Sequence, residues 1–525
     1  MNQRRFIKEL SLPDKIAGFV LLSFLILGIV IYFDYGLSWD EPTQLQLGIQ
    51  NFRYIINGDP SLLSNKDRWY GPLFEIFLVA AQSRGSLDRI FLSRHLLNFL
   101  AFFIGCIAFF LLVKKFTRNG WLGLIGVICL IISPRIFADA FYNSKDIPFL
   151  TAYTICLLSL LWFVEKPTPL RAALHGLFTA VLLSIRLPGL IIPVLTIFGL
   201  AIEVFAKRGT WKRASVSFAI YLAIATVFIV IFWPALWQNP VAGFMEAFAF
   251  MSRFPHNSEM LYLGKLISDS SPPWHYVLVW IGITTPILYL IGFLAGFITI
   301  IVNWFKVFQN LPEGINPYRR NDLLILCAFL GPIVAVIILQ SSLYSGWRQM
   351  FFLYIPFLLV MLSGFKVFYD WLLAHTRKQF AVTISVILLI LGILPTVVWM
   401  VTNHPYQNVY FNRFAGADMR TIQKRFPLDY WGLAYHRGIQ AIQATDDREK
   451  IVIFVESQQQ ALGLLTPAEA KRIFLTDDLK EADYFLGNYR DIRRFPYPFS
   501  NEIFSIQIGN ARILSVYKLT EEERR

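Results

Sequence analysis

The run IAGFVLLSFLILGIVIYF (residues 16–33) passes directly into Asp34-Tyr35-Gly36-Leu37-Ser38-Trp39-Asp40-Glu41. The run is apolar enough and almost long enough by itself to cross a bilayer core, which takes about 20 residues. Two adjacent carboxylates follow within a few residues of its end. A pair of acids at a membrane exit either opens an interfacial helix or has a chemical role, and the rest of the chain must decide between the two.

Working outward, the composition fixes the class. Of the 525 residues, 56% are hydrophobic, 16% aromatic and only 16% charged, whereas soluble domains carry roughly 25% charged residues. The chain therefore reads as a polytopic α-helical membrane protein. Its formal net charge of +13 does not point to nucleic acid, because much of the Lys and Arg lies in short loops between apolar runs. Cys106, Cys129, Cys156 and Cys327 all fall inside apolar runs. With no metal or disulfide spacing they read as small buried hydrophobes. Arg4, Arg5, Lys8 and Lys15 precede the first run as in a signal peptide, but no small-residue cleavage site follows it. The expectation is a retained first span with a cytoplasmic N-terminus.

About eleven spans are expected on length and apolarity, near residues 16–33, 91–113, 120–133, 147–164, 171–186, 187–206, 214–233, 275–304, 322–341, 349–366 and 380–402. Alternating sides collects the short basic loops on one face: Lys114, Lys115 and Arg118; Lys166 and Arg171; Lys207 to Arg213; Lys306, Arg319 and Arg320; Lys366, Arg377 and Lys378. The positive-inside bias makes that face cytoplasmic. Two long outer loops, 34–90 and 234–274, carry apolar residues among polar ones, as interfacial helices do. The expected organisation is a transmembrane catalytic domain over residues 1–402 and a small extracytoplasmic α/β domain over 403–525, in a bacterial inner membrane. In that tail, 450–456 and 483–487 read as strands, 466–472 as a short helix, and 502–508 with 512–518 as a hairpin turning at Gly509-Asn510.

A charge deep in a bilayer costs at least ~2.5–3.5 kcal/mol, so ionisable residues at span ends carry information. Five such features fall on the expected outer face. They are Asp40-Glu41; Arg94-His95 with Asn98; the stretch from Ser133 and Arg135 through Asp139, Asn143, Lys145 and Asp146 to Pro148; Arg186; and Trp347-Arg348-Gln349. Each has an ordinary structural reading beside the functional one. An Arg at a span end snorkels, Asp146 caps a helix that Pro148 opens, His95 is a satisfied core residue, and Glu41 opens an interfacial helix. Taken together, carboxylates from two loops and guanidiniums from three spans suit a site that deprotonates an acceptor and holds a phosphate.

The ordered set Trp39-Asp40-Glu41, Tyr70-Gly71-Pro72-Leu73, Arg94, Asn143-Ser144-Lys145-Asp146-Ile147-Pro148 and Arg186-Leu187-Pro188-Gly189 resembles the GT-C glycosyltransferases. Within them it is most similar to family 39, the protein O-mannosyltransferase and aminoarabinose-transferase relatives. Trp347-Arg348-Gln349 to Pro356 is similar to an Arg-His-containing segment late in their membrane domains, and the likeness covers about the first 400 residues. The resemblance implies a GT-C-like fold. It also implies inverting transfer of a sugar from a polyprenyl-phosphate donor to a hydroxyl acceptor (glycan, lipid or protein) on the extracytoplasmic face. It makes Asp40 the base and matches Asp146 to the second-loop acidic residue, a second catalytic position, with Glu41, Arg68, Tyr70, Arg94, Lys145, Arg186 and Arg348 as substrate or phosphate contacts. Many members carry a basic or imidazole residue before a Pro-Pro-Leu stretch. Tyr70-Gly71-Pro72-Leu73 stands there in this chain, with Arg68 as the nearest stand-in. The stretch from His404 to Asn412 and Asp429-Tyr430-Trp431-Gly432 resemble bacterial members without an assigned role.

The chemistry is coherent without the resemblance. An Asp with a pKa near 3.9 cannot deprotonate a hydroxyl in advance, but it can take the proton as an oxocarbenium-like transition state forms. Phosphate leaves as an anion, so Arg94, Arg186 and Arg348 need only stabilise charge. The outer loops hold no Asp-X-Asp or His cluster, so neither metal nor other cofactor is expected. Two other readings stay open. A transporter or flippase of lipid-linked saccharide would show repeated halves with broken helices near the midplane, whereas the polar residues here gather at one face. A lipid-linked oligosaccharide ligase or polymerase would use a similar fold.

Overall fold

The structure, a computed structural model, describes residues 10–252, 258–308, 315–344, 346–456, 459–490 and 496–524. The basic N-terminal residues Arg4, Arg5 and Lys8 lie outside the described residues. Among those described, nine helices are long and apolar enough to cross a membrane, from Leu12–Asp34 to Lys378–Thr402. The described residues thus give nine spans, or ten with one bent pair, against about eleven expected, and two elements account for the difference. Pro169–Leu183 is apolar but only 15 residues long, and Gly120–Ile131 with Pro134–Tyr142 forms a pair bent by 67°.

The bent pair departs from expectation. A 12-residue helix rises about 18 Å, short of a ~30 Å hydrocarbon core, and Pro134 cannot continue it because it lacks an N–H and crowds the preceding turn. Ser133 leaves the helical region (φ −98°, ψ 101°) and a second helix starts at a new angle. The stretch that reads as an outer loop is therefore a helix, with every residue of Pro134–Tyr142 buried. Asn98 holds it by donating its amide to the carbonyls of Asp139 (3.3 Å) and Ala140 (2.9 Å). Its Arg and Asp made it look solvated, and only its burial partners show otherwise.

Ion pairs distinguish the two ends of the bundle. Lys114 meets Asp14 at 2.5 Å, Lys115 meets Glu165, and Arg320 meets Glu203 at 2.7 Å. The 20-residue helix Asp146–Glu165 spans about 30 Å, so Asp146 lies at the opposite end. That end also receives the long loops. Residues 34–90 fold into Glu41–Asn57, Ser61–Ser64, Lys66–Trp69 and Leu73–Ala81. Residues 234–274 contain Pro240–Ser252 and a hairpin of β1 (Glu259–Tyr262) and β2 (Lys265–Ser268) that the sequence did not announce. The Tyr70-Gly71-Pro72-Leu73 motif docks on the turn before Arg186. The Leu73 N–H donates to the Ser184 carbonyl at 3.0 Å, and a side chain at Gly71 would strike the Ser184–Ile185 backbone.

After Thr402 the chain lies across this same end. Arg135 Nε donates to the Tyr410 carbonyl at 3.0 Å. The Asn412 side chain donates to the carbonyls of Gly282 and Thr285, both at 2.7 Å, at the break between Tyr276–Thr284 and Ile287–Phe308. The segment 404–412 thus ties the tail to the bundle. Beyond it come the helix Tyr435–Thr445 and a five-stranded sheet of β3 (Ile451–Val455), β4 (Ile473–Thr476), β5 (Tyr484–Gly487), β6 (Glu502–Ile508) and β7 (Ala511–Lys518). Their order is β4-β3-β5-β7-β6, with β3 parallel to β4 and β5 and the other pairs antiparallel. The expected short helix is Pro467–Ala470, opened by a Thr466–Glu469 capping box.

Glycines let Ile287–Phe308 lie tightly against Tyr354–His375. A methyl at Gly296 would run into the Val360 carbonyl oxygen, and one at Gly364 into that of Gly292, the small-residue contact by which membrane helices approach. Gly364→Ala is expected to lower stability by about 1–3 kcal/mol, read as the thermal midpoint in detergent. Gly18→Ala, which faces open space, should leave it unchanged.

Candidate active site

Pro42 opens the helix Glu41–Asn57, and Asp40 precedes it without capping it through its side chain. The local role falls to Glu41. Its Oε2 accepts the Ser38 N–H at 2.7 Å and its Oε1 pairs with His95 Nε2 at 2.8 Å, with both side chains sealed from solvent. Asp40 instead faces cations from distant segments. Its Oδ2 lies 3.0 Å from Lys145 Nζ and 3.1 Å from Arg348 Nη1.

The same Arg348 nitrogen lies 3.3 Å from Asp146 Oδ2, while Asp146 Oδ1 meets Arg186 and its Oδ2 accepts from Asn143 at 2.9 Å. Asn143 also caps the helix that begins there, its Oδ1 accepting the Asp146 N–H at 2.9 Å. Asp146 is free to pair because Asn143 does the capping. Arg348 thus joins two carboxylates, and the side chains in direct ion pairs are three cations to two anions, with the Asp139 carboxylate beyond them on Asn143. Exposure separates the acids, since the Asp40 side chain keeps 28% of its surface and Asp146 only 1%.

Aromatic rings close the group. Lys145 Nζ sits 5.1 Å over the Tyr70 ring, and the Arg348 guanidinium lies 5.2 Å from Tyr344 and 4.5 Å from Trp431. Trp431 donates its indole N–H to Asp139 Oδ1 at 3.2 Å, where Tyr142 OH (2.6 Å) also donates, and Asn143 (2.9 Å) donates to Oδ2. Burial alone would push the Asp40 carboxyl up, but Lys145 and Arg348 outweigh it and hold it below the ordinary carboxylate range. Burial raises the Tyr70 phenol above its usual value, so it remains a protonated donor.

Not every residue expected from sequence joins this group. Arg94 is buried against Glu75 and donates to Gln82 Oε1 at 3.2 Å. Arg68 stacks on Trp69 at 4.5 Å and donates to the Asn65 carbonyl at 3.2 Å. Glu41 is occupied by His95 and Ser38. Asp40, Tyr70, Lys145, Asp146, Arg186 and Arg348 do come together. Sequence reasoning passed over Glu75, although an acid inside the apolar stretch LFEIFLVAA (residues 73–81) is as costly as the Arg it neutralises. It also left Trp431 without a role, and no local pattern marks that residue. Among the described residues, no group of three or more His, Cys, Asp or Glu side chains is arranged to hold a metal.

No protein-family model matches the sequence, and no curated protein matches it either. Solved structures do align with it over most of its length. The crystal structure of ArnT from Cupriavidus metallidurans in the apo state aligns over 95% of this chain and 98% of that one, at 14% identity and a TM-score of 0.45. The same protein bound to undecaprenyl phosphate aligns over the same shares at 13% identity and a TM-score of 0.44. An Archaeoglobus fulgidus oligosaccharyltransferase, in complex with Zn and sulfate, aligns over 86% of this chain and 62% of that one, at 10% identity and a TM-score of 0.44. Both proteins are of the GT-C superfamily. Similarity at this level concerns the fold's outline and gives no weight to any residue's role.

Two measurements test the site as described. Removing one member of a buried ion pair costs about 3–5 kcal/mol, while replacing both by apolar groups is often tolerated. Arg94→Leu should therefore destabilise the chain by that amount and Glu75→Leu/Arg94→Leu should recover much of it, read by thermal unfolding. An Arg94→Leu variant of normal stability and no activity would instead return Arg94 to a substrate role. For Asp40 the folded pKa is depressed, so its contribution is present above the unfolded value of about 4 and is lost as pH falls through the lower folded one. The pH profile of kcat/KM, which reports the free enzyme, should show no Asp40 limb above about pH 4 in the wild type, and Lys145→Met should bring an acid limb upward. A wild-type limb near pH 6 that disappears in Asp40→Asn would contradict this.

Proposed function

We propose that the chain is a membrane glycosyltransferase that moves a sugar from a polyprenyl-phosphate donor to a hydroxyl acceptor at the Asp40 end of the bundle. The observation that carries this reading is Asp40 itself: an accessible, ionised carboxylate in contact with two cations of a group whose direct ion pairs set three cations against two anions. A donor phosphodiester brings a further negative charge. As it takes up Lys145, Arg186 and Arg348, it competes with Asp40 for Lys145 and Arg348. The carboxylate then loses the partners that depress its pKa and becomes a better base.

In the transfer step the bond between the anomeric carbon and the phosphate oxygen breaks as the acceptor oxygen bonds to that carbon from the opposite face. The acceptor proton passes to Asp40, and polyprenyl phosphate leaves as an anion held by the guanidiniums. No acid is needed for the leaving group. Asp146 is sealed beneath Arg186 and Arg348. In this reading it positions those two side chains rather than exchanging a proton. The basic end of the bundle faces the cytoplasm by the positive-inside bias, so transfer occurs on the other side of the membrane.

Asp40→Asn should lower the rate of transfer from a polyprenyl-phosphate sugar by about 10²–10⁴-fold, the usual share of a general base, in a chain that still folds and inserts. Wild-type transfer in that variant would exclude the reading. Movement of a lipid-linked sugar across liposomes without any transfer would favour the flippase instead.

A further inference from the structure

The small sheet has a feature that the transfer reading leaves unused. From β3 the chain goes to β4 on one side and returns to β5 on the other, so the connections leaving the carboxyl ends of β3 and β5 diverge. In open α/β sheets such a switch point forms the ligand crevice. Glu456 follows β3 and Asn488 follows β5.

Three observations mark the β5 side. Asn488 is buried, 3% exposed, and its Oδ1 accepts the Arg490 N–H at 3.2 Å, while its amide Nδ2 has no acceptor. A buried orphan donor is uncommon enough in native structures to call for an explanation. Tyr489 adopts a left-handed backbone (φ +55°) that L side chains avoid, and it is held by its hydroxyl hydrogen-bonding Ser515 Oγ at 2.8 Å and its N–H donating to Tyr497 OH at 3.1 Å. The turn delivers Arg490 onto the face of Trp39, 4.9 Å from the ring, beside Asp40. There the residue is exposed, its guanidinium lies within electrostatic reach of Asp40 and Arg348, and it has no carboxylate partner among the described residues. Trp39 is itself fixed to the tail, its indole N–H donating to the Tyr430 carbonyl at 2.7 Å.

We propose that Asn488 and Arg490, at the carboxyl end of β5, bind an anionic group, a phosphate or carboxylate, carried by the hydroxyl acceptor. This rests on the transferase reading and deepens it. The donor phosphate already has Lys145, Arg186 and Arg348 at the buried group. Arg490 belongs to the part of the chain without membrane helices and reaches the base from the side on which a water-borne acceptor headgroup arrives. Its position next to Trp39-Asp40 would hold the acceptor's hydroxyl near the carboxylate that takes its proton.

The test uses the full chain in detergent, wild type and Arg490→Gln, with Arg490→Lys as a charge-retaining variant. Binding is measured by thermophoresis for glucose 6-phosphate, glucuronate and methyl glucoside, and separately for undecaprenyl phosphate. The wild type should bind the two anionic sugars about tenfold or more tighter than the neutral one, the size expected of charge-assisted hydrogen bonds. Arg490→Gln should lose that preference and Arg490→Lys keep part of it. Undecaprenyl phosphate affinity should stay the same in all three. A parallel loss of undecaprenyl phosphate binding would put Arg490 on the donor and overturn the proposal. Equal binding of charged and neutral sugars by the wild type would overturn it too, while leaving the transferase reading intact. A wild type that prefers anionic sugars but takes no undecaprenyl phosphate would uphold the anion site and sink the transferase reading.

Discussion

Everything at the reactive end of the bundle depends on one guanidinium placed between two carboxylates. Arg348 enters at the start of the turn Arg348–Leu353, which leads into Tyr354–His375, and its neighbour Trp347 is fixed by donating its indole N–H to Thr284 Oγ1 at 2.9 Å. From there Arg348 reaches Asp40 of the first loop and Asp146 of the fourth expected span, and it is covered by Trp431 of the tail. Three segments far apart in sequence are thus bound to one side chain. Without that cation, two carboxylates would face each other in a medium where like charges repel strongly.

The same electrostatics sorts the rest of the chain. At the far end Lys114 is balanced by Asp14, whereas Glu203 meets both Arg208 and Arg320. Arg94 with Glu75 and His95 with Glu41 are balanced too, and both pairs are buried. A buried balanced pair gives little net stability but a large penalty when broken, which describes a structural element. The Asp40 group differs because its directly paired cations outnumber its anions while one acid stays open to solvent. An unbalanced, accessible group invites an external anion, and the Asp40 group combines its imbalance with an open acid at the end that receives the long loops.

The two kinds of expectation fared differently. Fold class was legible because hydrophobic run length and the drop in apolarity after residue 403 are local properties. The tail strands at 451–455 and 484–487 and the hairpin at 502–518 were legible for the same reason, through alternation and the Gly509-Asn510 turn. The strand Ile473–Thr476 and the helix Pro134–Tyr142 were not, since one is four residues long and the other carries an Arg and an Asp that local reading assigns to solvent. In the site, costly charge pointed to Arg94 and Arg348 alike, yet one is neutralised by Glu75 and the other joins Asp40. Pairing is a property of contact, and contact is not written in spacing.

By itself, then, the sequence determined that this is a polytopic helical membrane protein with a small α/β unit at its end, and that its costly charges gather toward one face. These follow from transfer free energies that act residue by residue along the chain. Only the tertiary structure decided which of those charges meet and which are spoken for, because a charge takes its chemistry from its neighbours. It decided that Asp40 stays open while Asp146 is sealed, that Glu41 serves its own loop, and that Trp431 and Arg490 come from the tail to the Asp40 end of the bundle. Burial and pairing arise when segments hundreds of residues apart pack together, and no window of sequence contains them.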